Sequence, residues 1–130
     1  MNLVDSSAWL EYFADGPNAS FFESAITRKA ELIVPTIVIC EVCKRVLQQR
    51  SEEEALHAVS ILHTGTVVAL SVELAVHAAN RSHELKLPMA DSVILATAEL
   101  HRATIWTQDA DFQGLPNVKF RAAKRQKERK

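Results

Sequence analysis

Five acidic residues border strongly apolar stretches of this sequence, and they are its best candidates for chemistry. They are Asp5, Glu41, Asp91, Asp109 and Asp111. An ionised carboxylate is costly to bury unless a positive group meets it. Taken singly, each acid has an ordinary explanation as a helix cap, a turn residue or a side chain that escapes to solvent. The set becomes significant only if the fold brings its members to one place.

Two neighbouring elements position three of these acids. The run after Pro88 is apolar on nearly every face, which predicts a buried helix with Asp91 in its first turn. Residues 104–107 then predict a strand, and the polar turn after it contains Asp109 and Asp111.

Short apolar runs alternate with helical patterns along the rest of the chain. Strands are predicted at residues 2–4, 31–34, 67–70, 104–107 and 118–120, and a long helix is predicted from Pro35 to about Gln49, with Glu41 near its start. This alternation predicts a three-layer α/β/α sandwich with a central parallel sheet of four to five strands and right-handed crossovers. In such a sheet Asp5, which follows the first strand, shares one edge with the other four acids.

Crowded carboxylates repel one another, and some stay protonated unless a cation neutralises them. Oxygen ligands without a cluster of His or Cys favour a hard divalent ion, so Mg²⁺ or Mn²⁺ is the expected cofactor. Metals held by carboxylates commonly serve phosphodiester hydrolysis, and they would also let an acidic pocket accept a polyanion.

The charge of the chain is distributed unevenly. The 130 residues carry a formal net charge of −1, but residues 119–130 contain seven basic residues and one acid, a net +6, which leaves −7 for the rest. An acidic body is not a general polyanion binder. The basic end can contact nucleic acid or an acidic partner, or it can simply be solvated.

Other features limit the protein class. No apolar run approaches the roughly 20 residues that span a bilayer, and no signal core follows Met1, so a cytoplasmic protein without a membrane partner is expected. Cys40 and Cys43 form an isolated C-x-x-C without a second pair of zinc ligands. Because they lie in an apolar helical pattern, they are predicted to be buried, reduced core thiols.

Four short motifs resemble those of the PIN-domain ribonucleases, and most closely the VapC-type toxins of toxin-antitoxin pairs. The first is the run Asp5-Ser6-Ser7-Ala8-Trp9-Leu10, and the second is Glu41 in its helix. The third is Pro88-Met89-Ala90-Asp91-Ser92, and the fourth is Thr107-Gln108-Asp109-Ala110-Asp111-Phe112. Each motif is weak alone, but the ordered set is specific and extends to about Phe120.

The resemblance implies one PIN-like domain over residues 1–120 followed by a basic tail over 121–130. It also implies a metal-dependent endoribonuclease acting on single-stranded RNA, usually a homodimer, that a cognate antitoxin protein inhibits. Asp5, Glu41, Asp91 and Asp109 would bind metal or orient the attacking water. Asp111 and Thr107 would support them, and Ser6 or Ser7 would hold the first carboxylate.

Two alternatives stay open. A catalytically silent PIN fold could bind RNA or protein, although no expected acid is missing. A receiver-like phosphoacceptor domain has a similar alternation of elements, but it needs an acceptor Asp after a central strand, and the third predicted strand ends in Ala69-Leu70-Ser71. A serine hydrolase is weaker still, because Ser6 and Ser7 lie outside a G-x-S-x-G turn.

Overall fold

Five parallel strands form one sheet in the computed structural model, which describes residues 1–124. Their order across the sheet is β3-β2-β1-β4-β5, and every neighbouring pair is parallel. The strands are β1 (Asn2–Val4), β2 (Leu32–Pro35), β3 (Thr66–Val68), β4 (Thr104–Thr107) and β5 (Val118–Phe120). The predicted α/β sandwich with a parallel sheet is confirmed.

Six α-helices connect the strands. They are α1 (Ser6–Phe13), α2 (Ala19–Ile26), α3 (Thr36–Gln49), α4 (Glu52–Leu62), α5 (Val72–Leu85) and α6 (Met89–Leu100). Two short 3₁₀ helices, Lys29–Glu31 and Ala110–Phe112, complete the described elements. The main core joins the strands to most of these helices, and a smaller cluster of Leu74, Ala78, Val93 and Ala96 lies between α5 and α6.

Strand β1 is the centre of the sheet. Leu3 pairs with Ile33 of β2 on one side and with Ile105 of β4 on the other. Leu3 and Val4 are completely buried. The residue that follows this strand, Asp5, therefore lies at the middle of the carboxyl edge of the sheet.

Helix α6 is buried from Ser92 to Ala98, as its apolar pattern predicts. Its two buried hydroxyls are satisfied inside the helix. Ser92 donates to the carbonyl of Pro88 (2.8 Å) and Thr97 donates to that of Val93 (2.7 Å). The helix can therefore be covered on nearly all sides without leaving a hydroxyl unpaired.

Two strand boundaries differ from the prediction. The strand predicted at 31–34 begins and ends one residue later, because Glu31 closes the short helix Lys29–Glu31. The strand predicted at 67–70 covers Thr66–Val68, because β3 is an edge strand and the chain turns away before Ser71 caps α5. Leu70 is accordingly exposed.

The prediction that both cysteines are buried is wrong. Helix α3 buries one row of side chains, Val38, Val42 and Val46, spaced four residues apart. Cys40 lies two residues from that row, roughly 200° around the helix, and is exposed, whereas Cys43 is partly buried.

The end of the described chain still contacts the body. The Arg121 N–H donates to the carbonyl of Thr107 (3.0 Å), and the side chain of Asn18 donates to the carbonyl of Ala122 (3.0 Å). Most of the predicted basic tail, residues 125–130, lies outside the described residues. Among residues 1–124, no helix is long and apolar enough to cross a membrane.

Candidate metal centre

Three carboxylates converge at the carboxyl edge of the sheet. Asp91 is in the first turn of α6, and Asp109 and Asp111 follow β4. One oxygen from each lies within 4.8 Å of the others. Asp91 is 18 residues before Asp109 and 20 before Asp111, so the fold brings it to the other two acids.

The protonation of Asp91 reflects this crowding. Burial is the main cause that raises the pKa of Asp91 to about 8, followed by a hydrogen bond with Asp111 and repulsion from Asp109, Asp111 and Asp5. Without a cation the site therefore holds a proton at neutral pH. A divalent ion would relieve the same repulsion by replacing that proton.

Asp5 lies behind the cluster, almost completely buried, with a relative exposure of 2%. Its Oδ1 accepts from the Ser7 hydroxyl (2.7 Å) and the Ala8 N–H (3.1 Å), so it caps α1. Burial raises the pKa of Asp5 to about 6 despite these hydrogen bonds, and Asp109 contributes to the rise. Asp5 is thus in the field of the cluster, although it is not one of the three acids whose oxygens converge.

Thr107 joins Asp5 to Asp109. Its buried hydroxyl donates to Asp5 Oδ2 (2.7 Å) and accepts from the Asp109 N–H (2.8 Å). Asp109 Oδ1 in turn accepts from the Asp111 N–H (2.9 Å), which caps the short helix Ala110–Phe112. The turn after β4 is therefore held in place by a chain of short hydrogen bonds.

Glu41 stands apart from the three converging acids. It is partly buried on α3, and its Oε1 accepts from the Ser6 hydroxyl (3.0 Å). The two serines of the first motif have separate partners, since Ser6 contacts Glu41 and Ser7 contacts Asp5.

The donor set suits a hard cation. Every residue of the cluster offers carboxylate oxygen, which is the donor that Mg²⁺, Mn²⁺ and Ca²⁺ prefer. Asp91 and Asp109 were predicted as metal ligands, and Asp111 was predicted to support them. Within residues 1–124, the causes that raise the pKa of Asp91 are burial and neighbouring acids, and no positive group offsets them. The cluster can therefore hold a metal ion.

Comparison with protein families identifies the fold. The model of the PIN domain matches residues 3–118, which is most of the chain. The chain belongs to the PIN domain family. A search of curated proteins gives no significant match.

Several solved structures, among them toxins and toxin-antitoxin complexes, are similar to this chain. A toxin-antitoxin complex from Klebsiella pneumoniae aligns with a TM-score of 0.75 at 26% identity, covering 91% of this chain and 95% of the other. VapC20 of Mycobacterium tuberculosis, described as a Sarcin-Ricin loop cleaving toxin, aligns with a TM-score of 0.74 at 17% sequence identity. The alignment covers 91% of this chain and 97% of VapC20. PAE2754 from Pyrobaculum aerophilum aligns with a TM-score of 0.72 at 17% sequence identity, and the alignment covers 92% of this chain and 87% of PAE2754.

Two polar residues of this PIN domain were not among the predicted site residues. Gln108 donates its N–H to the Ser7 hydroxyl (3.0 Å) and accepts from the Asn18 side chain (2.7 Å). Asn18 is buried and also binds Ala122. Gln108 lies inside the fourth motif, whereas no local pattern distinguishes Asn18, because its partners are 90 and 104 residues away.

Proposed function

We propose that this chain is a metal-dependent endoribonuclease that acts as the toxin of a toxin-antitoxin pair. The observation that carries the proposal is the convergence of oxygens from Asp91, Asp109 and Asp111 beside the buried Asp5. Membership of the PIN domain family and the similarity to toxin structures support the same function.

In this proposal Asp91, Asp109 and Asp5 hold one or more Mg²⁺ or Mn²⁺ ions, with Asp111 as a further ligand. A metal ion bound there supplies charge stabilisation and a more acidic attacking water. Glu41, held by Ser6, orients that water or completes the metal shell. Thr107 is a positioning residue, because its buried hydroxyl holds two of the carboxyl-bearing residues in place.

The substrate in this proposal is single-stranded RNA. An open carboxylate cluster at the edge of a sheet admits a flexible strand, whereas a base-paired helix hides its bases and is read mainly through its shape. The inhibitory partner is an antitoxin protein, consistent with the toxin-antitoxin complexes among the similar structures.

The decisive experiment is an RNA cleavage assay with Mg²⁺ or Mn²⁺. Asp91→Asn removes one ligand and is expected to reduce the cleavage rate at least about 100-fold without unfolding the protein, as losing a critical electrostatic group typically does. Asp15→Asn is the matched control. Asp15 is exposed in a turn with φ 51°, a conformation that Asn tolerates, so its activity should stay normal.

Two outcomes would contradict the proposal. Full cleavage by the wild-type protein in EDTA excludes metal dependence. Growth arrest on expression that persists in the Asp91→Asn variant excludes ribonuclease activity as the cause of toxicity. RNA binding without any cleavage by the wild-type protein would favour the catalytically silent binding module.

A further inference from the structure

Two cations at the edge of the sheet lie against two aromatic rings. The Arg121 guanidinium lies 4.0 Å from the centre of the Phe21 ring, and Lys119 Nζ lies 4.5 Å from the centre of a Trp106 ring. The Phe21 and Trp106 rings contact each other, with their centroids 5.2 Å apart. We call Lys119 and Arg121 the edge cation pair.

The backbone of the edge cation pair lies next to the strand that leads into the turn with Asp109 and Asp111. Lys119 of β5 is opposite Trp106 of β4, and the Arg121 N–H binds the carbonyl of Thr107. Arg121 is therefore one strand spacing, about 5 Å in backbone terms, from the residue whose hydroxyl holds Asp5. Both cations are exposed, and β5 is the last strand of the sheet.

Asn18 holds the backbone that follows β5 against the turn after β4. Asn18 donates to both the Gln108 side chain and the Ala122 carbonyl, and Gln108 immediately precedes Asp109. The buried amide of Asn18 therefore links the exit of the chain to the turn that carries the acids. The backbone of Arg121 is therefore held next to that turn by Thr107 on one side and by Asn18 on the other.

The charges of the pair are available to a ligand. Within residues 1–124, neither Lys119 nor Arg121 forms a salt bridge with a carboxylate. A ring neutralises no charge, and contacts at 4.0 and 4.5 Å leave the edges of the cations free to donate hydrogen bonds. The aromatic rings thus hold two unpaired positive charges in place.

We infer that the edge cation pair binds backbone phosphates of single-stranded RNA next to the carboxylate cluster. This inference rests on the proposed ribonuclease function, for which an acidic body needs a local attraction for a polyanion. The sequence from 119 to 130 has a net charge of +6, and the rest of the chain has −7. The most basic segment of the sequence therefore begins in β5, and its residue Arg121 pairs through its backbone with Thr107.

The contact is with phosphates and not with bases. Trp106 is 8% exposed and Lys119 covers its ring, while Phe21 is covered by Arg121. Neither ring offers a free face for base stacking. Binding through the pair should therefore depend strongly on salt and little on RNA sequence.

The test is RNA binding by the full chain in an Asp91→Asn background, so that cleavage does not interfere. A fluorescent single-stranded RNA of about 16 nucleotides, a length typical for one compact binding site, is titrated at several NaCl concentrations with constant Mg²⁺. Lys119→Gln with Arg121→Gln should weaken binding about tenfold. It should also reduce the slope of log affinity against log salt by about 1.4, the value for two phosphate contacts on a single strand.

The matched control is Arg50→Gln with Arg102→Gln. Both residues are exposed and lie at the opposite edge, where α3 ends and the chain enters β4, and replacing them removes the same charge. Arg50 has an exposed partner in Glu54 (3.9 Å), and such solvated pairs hold only weakly. Lys119→Arg with Arg121→Lys keeps both charges and should retain tight binding, which separates loss of charge from loss of folding.

Equal affinity and equal salt slope in the Gln variant and in the control would overturn the inference. Binding is measured without cleavage, so the two proposals fail separately. A wild-type protein that binds RNA through the pair but never cuts it contradicts only the ribonuclease function. In a cleaving protein, the Gln variant should raise KM and leave kcat unchanged, as loss of uniform binding does.

Discussion

One hydroxyl, that of Thr107, organises the carboxyl edge of this sheet. It is completely buried, it donates to Asp5 and it accepts from the backbone of Asp109. A threonine in a β-strand usually fills space on a pleated surface. In Thr107 the methyl group fills space in this way, while the hydroxyl oxygen sets the spacing between the first motif, at Asp5, and the last motif, at Asp109.

Thr107→Val should therefore damage both stability and catalysis. Valine keeps the shape but leaves Asp5 Oδ2 and the Asp109 N–H without their partner, which typically costs about 1–3 kcal/mol. Thr107→Ser keeps the hydroxyl and is the control. Urea denaturation measures the stability and RNA cleavage measures kcat, and equal kcat in the Val and Ser variants would show that the hydroxyl does not position the site.

The raised pKa of Asp91 predicts a specific pH dependence for the metal-free protein. The folded state binds a proton with a pKa of about 8, whereas the ordinary value is 3.8. Between these values the folded protein holds a proton that the unfolded chain has released, so the free energy of unfolding decreases as the pH rises. Asp91→Asn lacks this proton, and its stability should depend less steeply on pH.

Thermal unfolding of both proteins in EDTA between pH 5 and pH 9 checks this expectation. Wild type should lose melting temperature relative to Asp91→Asn as the pH rises. Added Mg²⁺ or Mn²⁺ should stabilise wild type more at high pH, since the metal replaces the proton. A constant difference between the two proteins would contradict the raised pKa.

The candidate acids could be identified from the sequence. The convergence of Asp91, Asp109 and Asp111 agrees with the prediction that they lie at one edge of the sheet. The contacts of Thr107 and Asn18 were less accessible. Each joins residues roughly a hundred positions apart, and local patterns contain no information about which distant hydroxyl or amide will meet.

At the scale of elements, the buried helix α6 holds Asp91 by packing against α5. Ala96 is completely buried between these helices, next to Ala78 and Leu74. Small residues there allow the two helix backbones to approach closely. The position of the first turn of α6, and with it Asp91, therefore depends on the volume of this contact.

Ala96→Leu should destabilise the protein by about 1–3 kcal/mol through overpacking and should weaken metal binding by displacing α6. Ala79→Leu adds the same volume on the exposed side of α5 and should be nearly neutral. Calorimetric titration with Mn²⁺ and chemical denaturation distinguish the two variants. If Ala96→Leu destabilises the protein but leaves its Mn²⁺ affinity unchanged, the packing of α6 against α5 does not position the metal site.

The sequence predicted correctly which segments form helices and strands, but it located the ends of these elements less accurately. The spacing of Val38, Val42 and Val46 correctly indicated a helix. The same apolar run concealed the exposure of Cys40, because a helix that is mostly apolar in sequence still has an outer face. Which face is outer depends on the neighbours that pack against it.

At the scale of the whole molecule, α5 presents an apolar strip to solvent. Val72 is 82% exposed and Val76, one turn later, is 57% exposed. The homodimer implied by the family resemblance remains a proposal, and this strip is a suitable surface for it.

Val72→Glu with Val76→Glu should shift a dimer to monomer in light scattering coupled to size-exclusion chromatography. Leu56→Glu, on α4, is the control because Leu56 is 64% exposed and should not affect the dimer. A protein that stays dimeric with both valines replaced uses another surface.

The order of the strands was the part of the fold that local patterns did not contain. The alternation of elements predicts a parallel sheet, but it does not say that β1 is central and that β4 joins its free side. That arrangement depends on which buried surfaces fit together once the chain collapses.

The pairing of β1 with β4 also has a consequence for the timing of synthesis. Asp5 leaves the ribosome more than a hundred residues before its partner Thr107 and the acids Asp109 and Asp111. A nascent chain that ends before β4 has neither the central strand pair nor the carboxylate cluster. Whatever chemistry the cluster performs can begin only when translation of the domain is nearly finished.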